Sequence, residues 1–252
     1  MSLFGRPLSD GDCLDVAGAV VRLKVHSRAR RVSLRLDRTR REVIATAPSP
    51  RRLGEAAAFA RDRADWITQR LAELPRAEPL APGIVVSLFD VPCVLAWADH
   101  PMRLIVDPAN GDLKIAGRGE GEAYARAVIR ILKREALRSF TEMTEAHCQV
   151  LGVCLPSITM MDAKGRWGSC RSSAPGKPAA IRYSWRLALA PRQVADYVAA
   201  HECAHLLELN HGPRFWAHVR RLAGDFTPHR DWLKAEGARL HAFGPHGEEP
   251  SE

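Results

Sequence analysis

Residues 197–216 read YVAAHECAHLLELNHGPRFW and bring three histidines and two glutamates within a few turns of chain. On a helix, His201 and His205 stand one above the other, about 6 Å apart along the axis. Two imidazoles so placed can reach one metal ion from a single face. Glu202 adjoins the first of them, where its carboxylate reaches a water on the metal rather than the metal itself. This is the HExxH arrangement associated with zinc hydrolases. Zinc lowers the pKa of a bound water to about 7, which makes a hydroxide-like nucleophile available near neutrality. Val194, Val198, Ala199 and Leu206 give the same helix an apolar side that can pack into a core.

A catalytic zinc normally has three protein ligands and one open position. His211 is the first candidate for the third. It stands six residues past His205 and needs a reversal of the chain, which Asn210 in a left-handed conformation would supply before Gly212 and Pro213 open another helix. Glu208, one turn beyond His205, is a rival, as a ligand or as a group that orients an imidazole. Glu236 is a third possibility.

Upstream, VRLKVH (21–26) and RVSLRL (31–36) alternate apolar and basic or polar residues, the period of strands with one buried face. EVIATA (42–47) reads as a third strand. Ser49 and Pro50 then open one helix running to about residue 74. PRAEPLAPG (75–83) is a linker by composition. IVVSL, VPCVLAW, MRLIV and DLKIA follow as short strands, and a long helix is expected from about Glu120 to Val150. SITMM, RWGSC and AAIRYSW read as strands before a helix that opens at Pro191. Pro213 and Pro228 begin two closing helices. No internal repeat is visible in the sequence.

With 46% hydrophobic and 26% charged residues, the 252-residue chain belongs to the soluble folded class. It has neither a signal-peptide core nor a run of about 20 apolar residues, so the cytoplasm is the expected location and no membrane partner is expected. The six cysteines contain no CxxC pair, which fits a reducing compartment and argues against a Cys-ligated zinc ribbon. Net charge is +8, concentrated in residues 22–52, where eleven Lys and Arg face only Asp37 and Glu42. Arg22, Lys24, Arg31 and Arg35 would form a basic stripe able to touch the phosphates of a nucleic acid or nucleotide. A strand face of this kind is usually only solvated, and no aromatic residue stands between Leu23 and Arg52 to stack a base.

RWGSC (166–170), YSWRLALAP (183–191), residues 196–216 and RDWLK (230–234) together resemble the YgjP-like metallopeptidases, relatives of the SprT-like and Spartan-type proteases. RRVSLRLD (30–37), the Ala47–Pro48 pair and ADWITQRL (64–71) extend the resemblance over roughly residues 20–240. It implies an α+β, zincin-like domain with helices on a small sheet, Zn2+ held by His201, His205 and His211, and Glu202 as the acid/base. The β-rich basic region with one helix precedes that domain. The expected segments are an extension over 1–19, a basic strand-and-helix region over 20–82, short strands over 83–118, the zinc metallopeptidase domain over 119–242 and a tail over 243–252. The chain departs from metzincins in having Glu208 where they carry Gly, and its RSSAPGKPA (171–179) is longer than the family's usual turn.

The expected activity is a zinc peptidase acting on a protein or peptide. Hydrolysis of a nucleotide phosphoanhydride at the same metal, and a nucleic-acid-binding module with a structural zinc, are the competing readings. Arg166, Trp167 and Gly168 are candidates to line the cleft: Gly168 for close approach of an extended substrate, Arg166 for an oxyanion or a substrate anion. Against this, Trp167 reads equally as core and Arg166 as a structural ion-pair partner. Tyr183, Cys170, Cys203, Phe215 and Trp216 read as packing residues. His147, His218 and His229 lack partners at ligand spacing and read as surface residues or as groups that support the ligands from behind.

Overall fold

The computed structural model describes residues 7–37, 41–74, 79–163 and 165–243. The chain divides into two compact units, Met1–Arg76 and Ala77–Glu252. The expected tail lies, Phe243 apart, outside the described residues, as do 75–78 of the expected linker.

In the first unit, β1 (Cys13–Val16), β2 (Ala19–Val25), β3 (Ser33–Asp37) and β4 (Glu42–Ala47) form a sheet of order β1-β2-β4-β3. β2 and β4 run parallel, and the other two pairs are antiparallel. Alternation sends Val21, Leu23, Val43 and Ala45 to one face. There they meet Leu53, Ala56, Ala57 and Ala60 of α1 (Leu53–Asp62) and Ile67 of α2 (Ala64–Ala72). On the opposite face, Arg22 and Arg35 flank Ile44, and Arg22 grips Glu42 through two bonds of 2.9 Å.

One expectation changes here. The single helix is two, broken at Arg63 (φ −111°, ψ 24°) and preceded by a 3-10 turn over Pro50–Arg52 in which the Ser49 side chain makes no cap bond. Within the expected 1–19 extension, Cys13–Val16 also pairs with β2 across the loop Ala17–Gly18. Four residues are too few to display a period in the sequence.

The second unit repeats the path. β5 (Val85–Leu88), β6 (Val91–Trp97), β7 (Arg103–Val106) and β8 (Leu113–Gly117) take the order β5-β6-β8-β7, again with one parallel central pair. α3 (Gly121–Leu151) has 31 residues and so spans about 46 Å. That length lets Tyr124 donate to the Ala96 carbonyl at 3.0 Å while Thr144, His147 and Cys148 reach the far end of the core. There stand β9 (Ser157–Met161), β10 (Gly168–Arg171) and β11 (Ala180–Ser184), in the order β10-β11-β9, and a 3-10 turn over Trp185–Leu189. α4 (Arg192–Ala204), α5 (Pro213–Ala223) and α6 (Thr227–Leu240) complete the unit.

One apolar cluster joins Val86, Leu95 and Ile115 of the four-stranded sheet to Val194, Val198 and Ala199 of α4. The loop between β5 and β6 ties that sheet to the start of α4. Phe89 donates its N–H to the Ala188 carbonyl at 2.8 Å, and the Asp90 carboxylate accepts the Arg192 N–H at 2.8 Å. Asp90 thereby satisfies one of the N–H groups that a helix start leaves unbonded. Both units are mixed α and β, and among the described residues no helix is long and apolar enough to cross a membrane.

Candidate metal centre

α4 ends at Ala204 with His205 as its C-cap (φ −67°, ψ −14°), so His201 lies in its last turn and His205 directly follows it. The chain then tightens: Leu206 and Leu207 bond back to Cys203 and Ala204 at 3.0 and 3.1 Å. The expected left-handed Asn210 does not occur: among the described residues the non-glycine residues with positive φ are Ala17, Arg41, Phe89 and Asp90. The reversal is instead a three-residue turn centred on His211, in which Gly212 N–H reaches the Asn210 carbonyl at 2.7 Å. Pro213 then starts α5 with its φ already set.

The result is convergence. Ligand nitrogens of His201, His205 and His211 all lie within 4.8 Å of one another. His201 Nε2 and His211 Nε2 are 3.2 Å apart, close to the ~3.3 Å expected of two nitrogens sharing a tetrahedral zinc at 2.0–2.1 Å. The His205 Nδ1 lies 3.0 Å from the Glu208 carbonyl. A carbonyl only accepts, so Nδ1 carries the hydrogen and Nε2 keeps its lone pair. Burial, and then the neighbouring His205 and His211, pull the His201 pKa down to about 4. His205 is lowered too, by burial first. Imidazoles held neutral in this way are the form that binds metal, and an all-imidazole set suits zinc.

Phe215 floors the cluster. Fully buried on α5, its ring lies 4.8, 4.5 and 4.7 Å from those of His201, His205 and His211. Phe215 is core, as expected, but its place beneath three histidines follows from the His211 turn, which no periodicity displays.

Glu202 points from the same helix turn and is only 5% exposed. Burial pushes its carboxyl up to about 7, opposed by the Arg166 charge. Its position depends on Gly168 of β10: a Cβ there would stand 2.6 Å from both Cγ and Cδ of Glu202. The close approach at Gly168 is thus made by Glu202 itself. Arg166 is exposed, whereas Trp167 is half-buried against the core. The Trp167 indole stacks on His241 at 4.7 Å and lies so close to Gly237 that a Cβ there would be 2.8 Å from its ring.

The remaining candidates fall outside the cluster. Glu208 contributes its carbonyl, while its carboxylate lies 3.9 Å from Arg214. Neither Glu208 nor Glu236 belongs to the three-histidine group. Tyr183 is fully buried, stacked on Phe140 at 4.2 Å, and shares a hydrogen bond of 2.9 Å with Thr144. Of its two readings the surface one is excluded for His147, which is buried and pairs with Asp196 at 2.9 Å. The two are 49 residues apart in the chain, so sequence spacing could not show the pair. Cys170 is partly buried, its thiol pushed up to about 12 by burial, and Cys203 is fully buried. Packing is the role this supports.

A family model described as YgjP-like, metallopeptidase domain, matches residues 30–236. The chain belongs to the YgjP-like metallopeptidase family. The matched span runs from the approach to β3 into α6 and takes in strands and helices of both units. Family membership makes this YgjP-like chain a metal-dependent hydrolase domain with a protein substrate, and the triple-imidazole cluster lies inside the matched span. Comparison with curated proteins and with solved structures gives no significant match.

Proposed function

We propose that the chain is a zinc-dependent peptidase of zincin-like design, with His201, His205 and His211 as the metal ligands and Glu202 as the acid/base. The observation that carries this reading is the convergence of three imidazole nitrogens within 4.8 Å at the end of the helix that also buries Glu202. When bound, zinc would polarise a scissile carbonyl and acidify water. Glu202, with a proton affinity raised toward neutrality, is suited to take a proton from water and return it to the leaving amine. Glu208 positions His205 through its carbonyl, and Gly168 leaves room for the Glu202 carboxylate.

A peptide is favoured over a phosphoanhydride by β10. Among the described residues it pairs with β11 alone, so its other edge can pair with an extended backbone, while Glu202 packs against the strand at Gly168. Arg166, exposed and close enough to bias Glu202, would face the developing charge or a substrate carboxylate. Trp167 would hold that strand by packing rather than touch substrate. The cytoplasm is the compartment this reading implies.

The test is metal analysis with turnover of an unfolded-protein substrate. Wild type should carry about one zinc per chain. Glu202→Gln should keep the zinc and lose roughly 10²–10⁴ of kcat. Gly168→Ala, which displaces the carboxylate, should keep the zinc and lose on the order of 10². Undiminished turnover in Glu202→Gln, or a purified chain that binds no transition metal, would reject the assignment.

A further inference from the structure

The first unit carries 16 Lys and Arg against 9 Asp and Glu, so +7 of the chain's +8 belongs to it. Several of these charges are neutralised locally, by Arg22–Glu42, Arg52–Glu55 and Arg70–Glu73. Arg31 and Arg63 are placed differently. Both are exposed, and both line a groove of about 480 Å³ that runs along the outer edge of the sheet. One wall is residues 31–34, the approach to β3 and its first two residues. The other is Phe59 and Arg63 of the α1 end with Trp66 of α2.

We propose that this groove binds an extended, acidic peptide segment carrying a bulky apolar residue, laid against β3 as an additional strand. Four observations support it. Among the described residues β3 pairs with β4 alone, so its outer edge presents backbone donors and acceptors at the two-residue period that an incoming strand matches. Val32 and Leu34 are half-buried and Trp66 is 36% exposed, which gives the groove an apolar floor of a size to take a large side chain. Trp and Arg, the two residue types that most often anchor interfaces, stand together in it. Arg31 and Arg63 at its rim, in a unit of high positive charge, attract an acidic partner and repel a second copy of the same edge.

A single-stranded nucleic acid matches the charge but not the rings. The Arg63 guanidinium covers the Phe59 ring at 5.8 Å, which leaves Trp66 as one lone surface where successive stacked bases need several. Asp62 and Asp65 flank these residues in sequence but are not part of the groove lining.

The groove shares no residue with the histidine cluster, and binding is read without turnover, so its failure and that of the peptidase reading are distinct results. The full-length Glu202→Gln chain is titrated, by fluorescence anisotropy, with a labelled peptide alternating Glu with Leu and Phe. Its Lys-for-Glu counterpart and an oligothymidine of equal length are titrated in parallel. The acidic peptide should bind at least about tenfold tighter than the other two. Trp66→Ala should weaken it about tenfold, and the double variant Arg31→Glu with Arg63→Glu should reverse the preference between the two peptides. Hydrogen exchange should slow across residues 31–36 on binding. Equal affinity for both peptides, indifference to the variants, or protection confined to other residues would overturn the proposal. Tighter, Trp66-dependent binding of the oligothymidine would overturn it in favour of a nucleic-acid surface.

Discussion

The two four-stranded sheets follow one path with unrelated sequences, and their first hairpins show how differently the same geometry can be held. In β1–β2 the loop is Ala17–Gly18 (φ 53° and 79°), and in β5–β6 it is Phe89–Asp90 (φ 50° and 73°). Both are two-residue loops with positive φ throughout, the form whose twist matches that of the strands. Gly18 adopts it without strain, and the Asp15 carboxylate accepts its N–H at 3.1 Å. Phe89 adopts it against its preference and is held from outside. Its ring meets Phe140 edge-on at 6.3 Å, its N–H bonds to Ala188, and Asp90 caps α4. The first turn is a local matter, and the second is a clamp on the helix that carries the histidines.

Two buried glutamates sharpen the contrast. Glu42, 4% exposed, is matched by a two-pronged arginine. Glu202 is as deeply buried, and the charge that favours its ionised form is that of the exposed Arg166. A buried carboxylate without a close counter-ion costs stability.

The largest expected effect is at Phe89. Phe89→Ala removes a buried ring and should lower stability by about 3–5 kcal/mol in urea unfolding, whereas an effect below about 1 kcal/mol would mean that the clamp is not tertiary. Next is Glu202→Gln in chelator-treated protein. The folded carboxyl has its pKa raised to about 7 from the usual 4.5, so the folded state keeps its proton longer than the unfolded state. Stability is then complete below about pH 4.5 and falls as pH rises through 7. The glutamine variant should be more stable than wild type by about 3 kcal/mol at pH 8 and equal to it at pH 4. Parallel stability curves at all pH values would show that Glu202 is not the group responsible.

Asp90→Ala removes the cap of α4 and should cost about 1–2 kcal/mol, with faster hydrogen exchange at the first amides of that helix. Smallest is the first hairpin. Gly18→Ala places a side chain at φ 79° and should cost about 1 kcal/mol, while Ala17→Gly should gain a few tenths of that. Exchange at α4 should be unchanged in both, because these turns report on the first unit alone.

What could be read without the structure follows the range of each interaction. The period-two alternation of residues 21–25, the long apolar stripe of α3 and the prolines at 191 and 213 signal elements within a few residues of themselves. His201 and His205 are visible for the same reason, being one helical turn apart. His211 could be nominated, but the reason offered, a left-handed Asn210, differs from the turn that occurs. The break at Arg63 escaped because the Ala-rich helical pattern continues across it. The aromatic residues missing from the basic strands arrive from α1 and α2, so the groove beside β3 had no sequence signature.

The linear chain by itself determined the element types, the spacing of two imidazoles and the uneven charge, because each depends on neighbours in sequence and on composition. Only tertiary structure decided that Gly168 would make room for Glu202, that Phe215 would lie beneath three histidines, that His147 would find Asp196, and that Asp90 would cap α4. Those contacts join residues up to 102 positions apart, and packing the core is what brings them within reach.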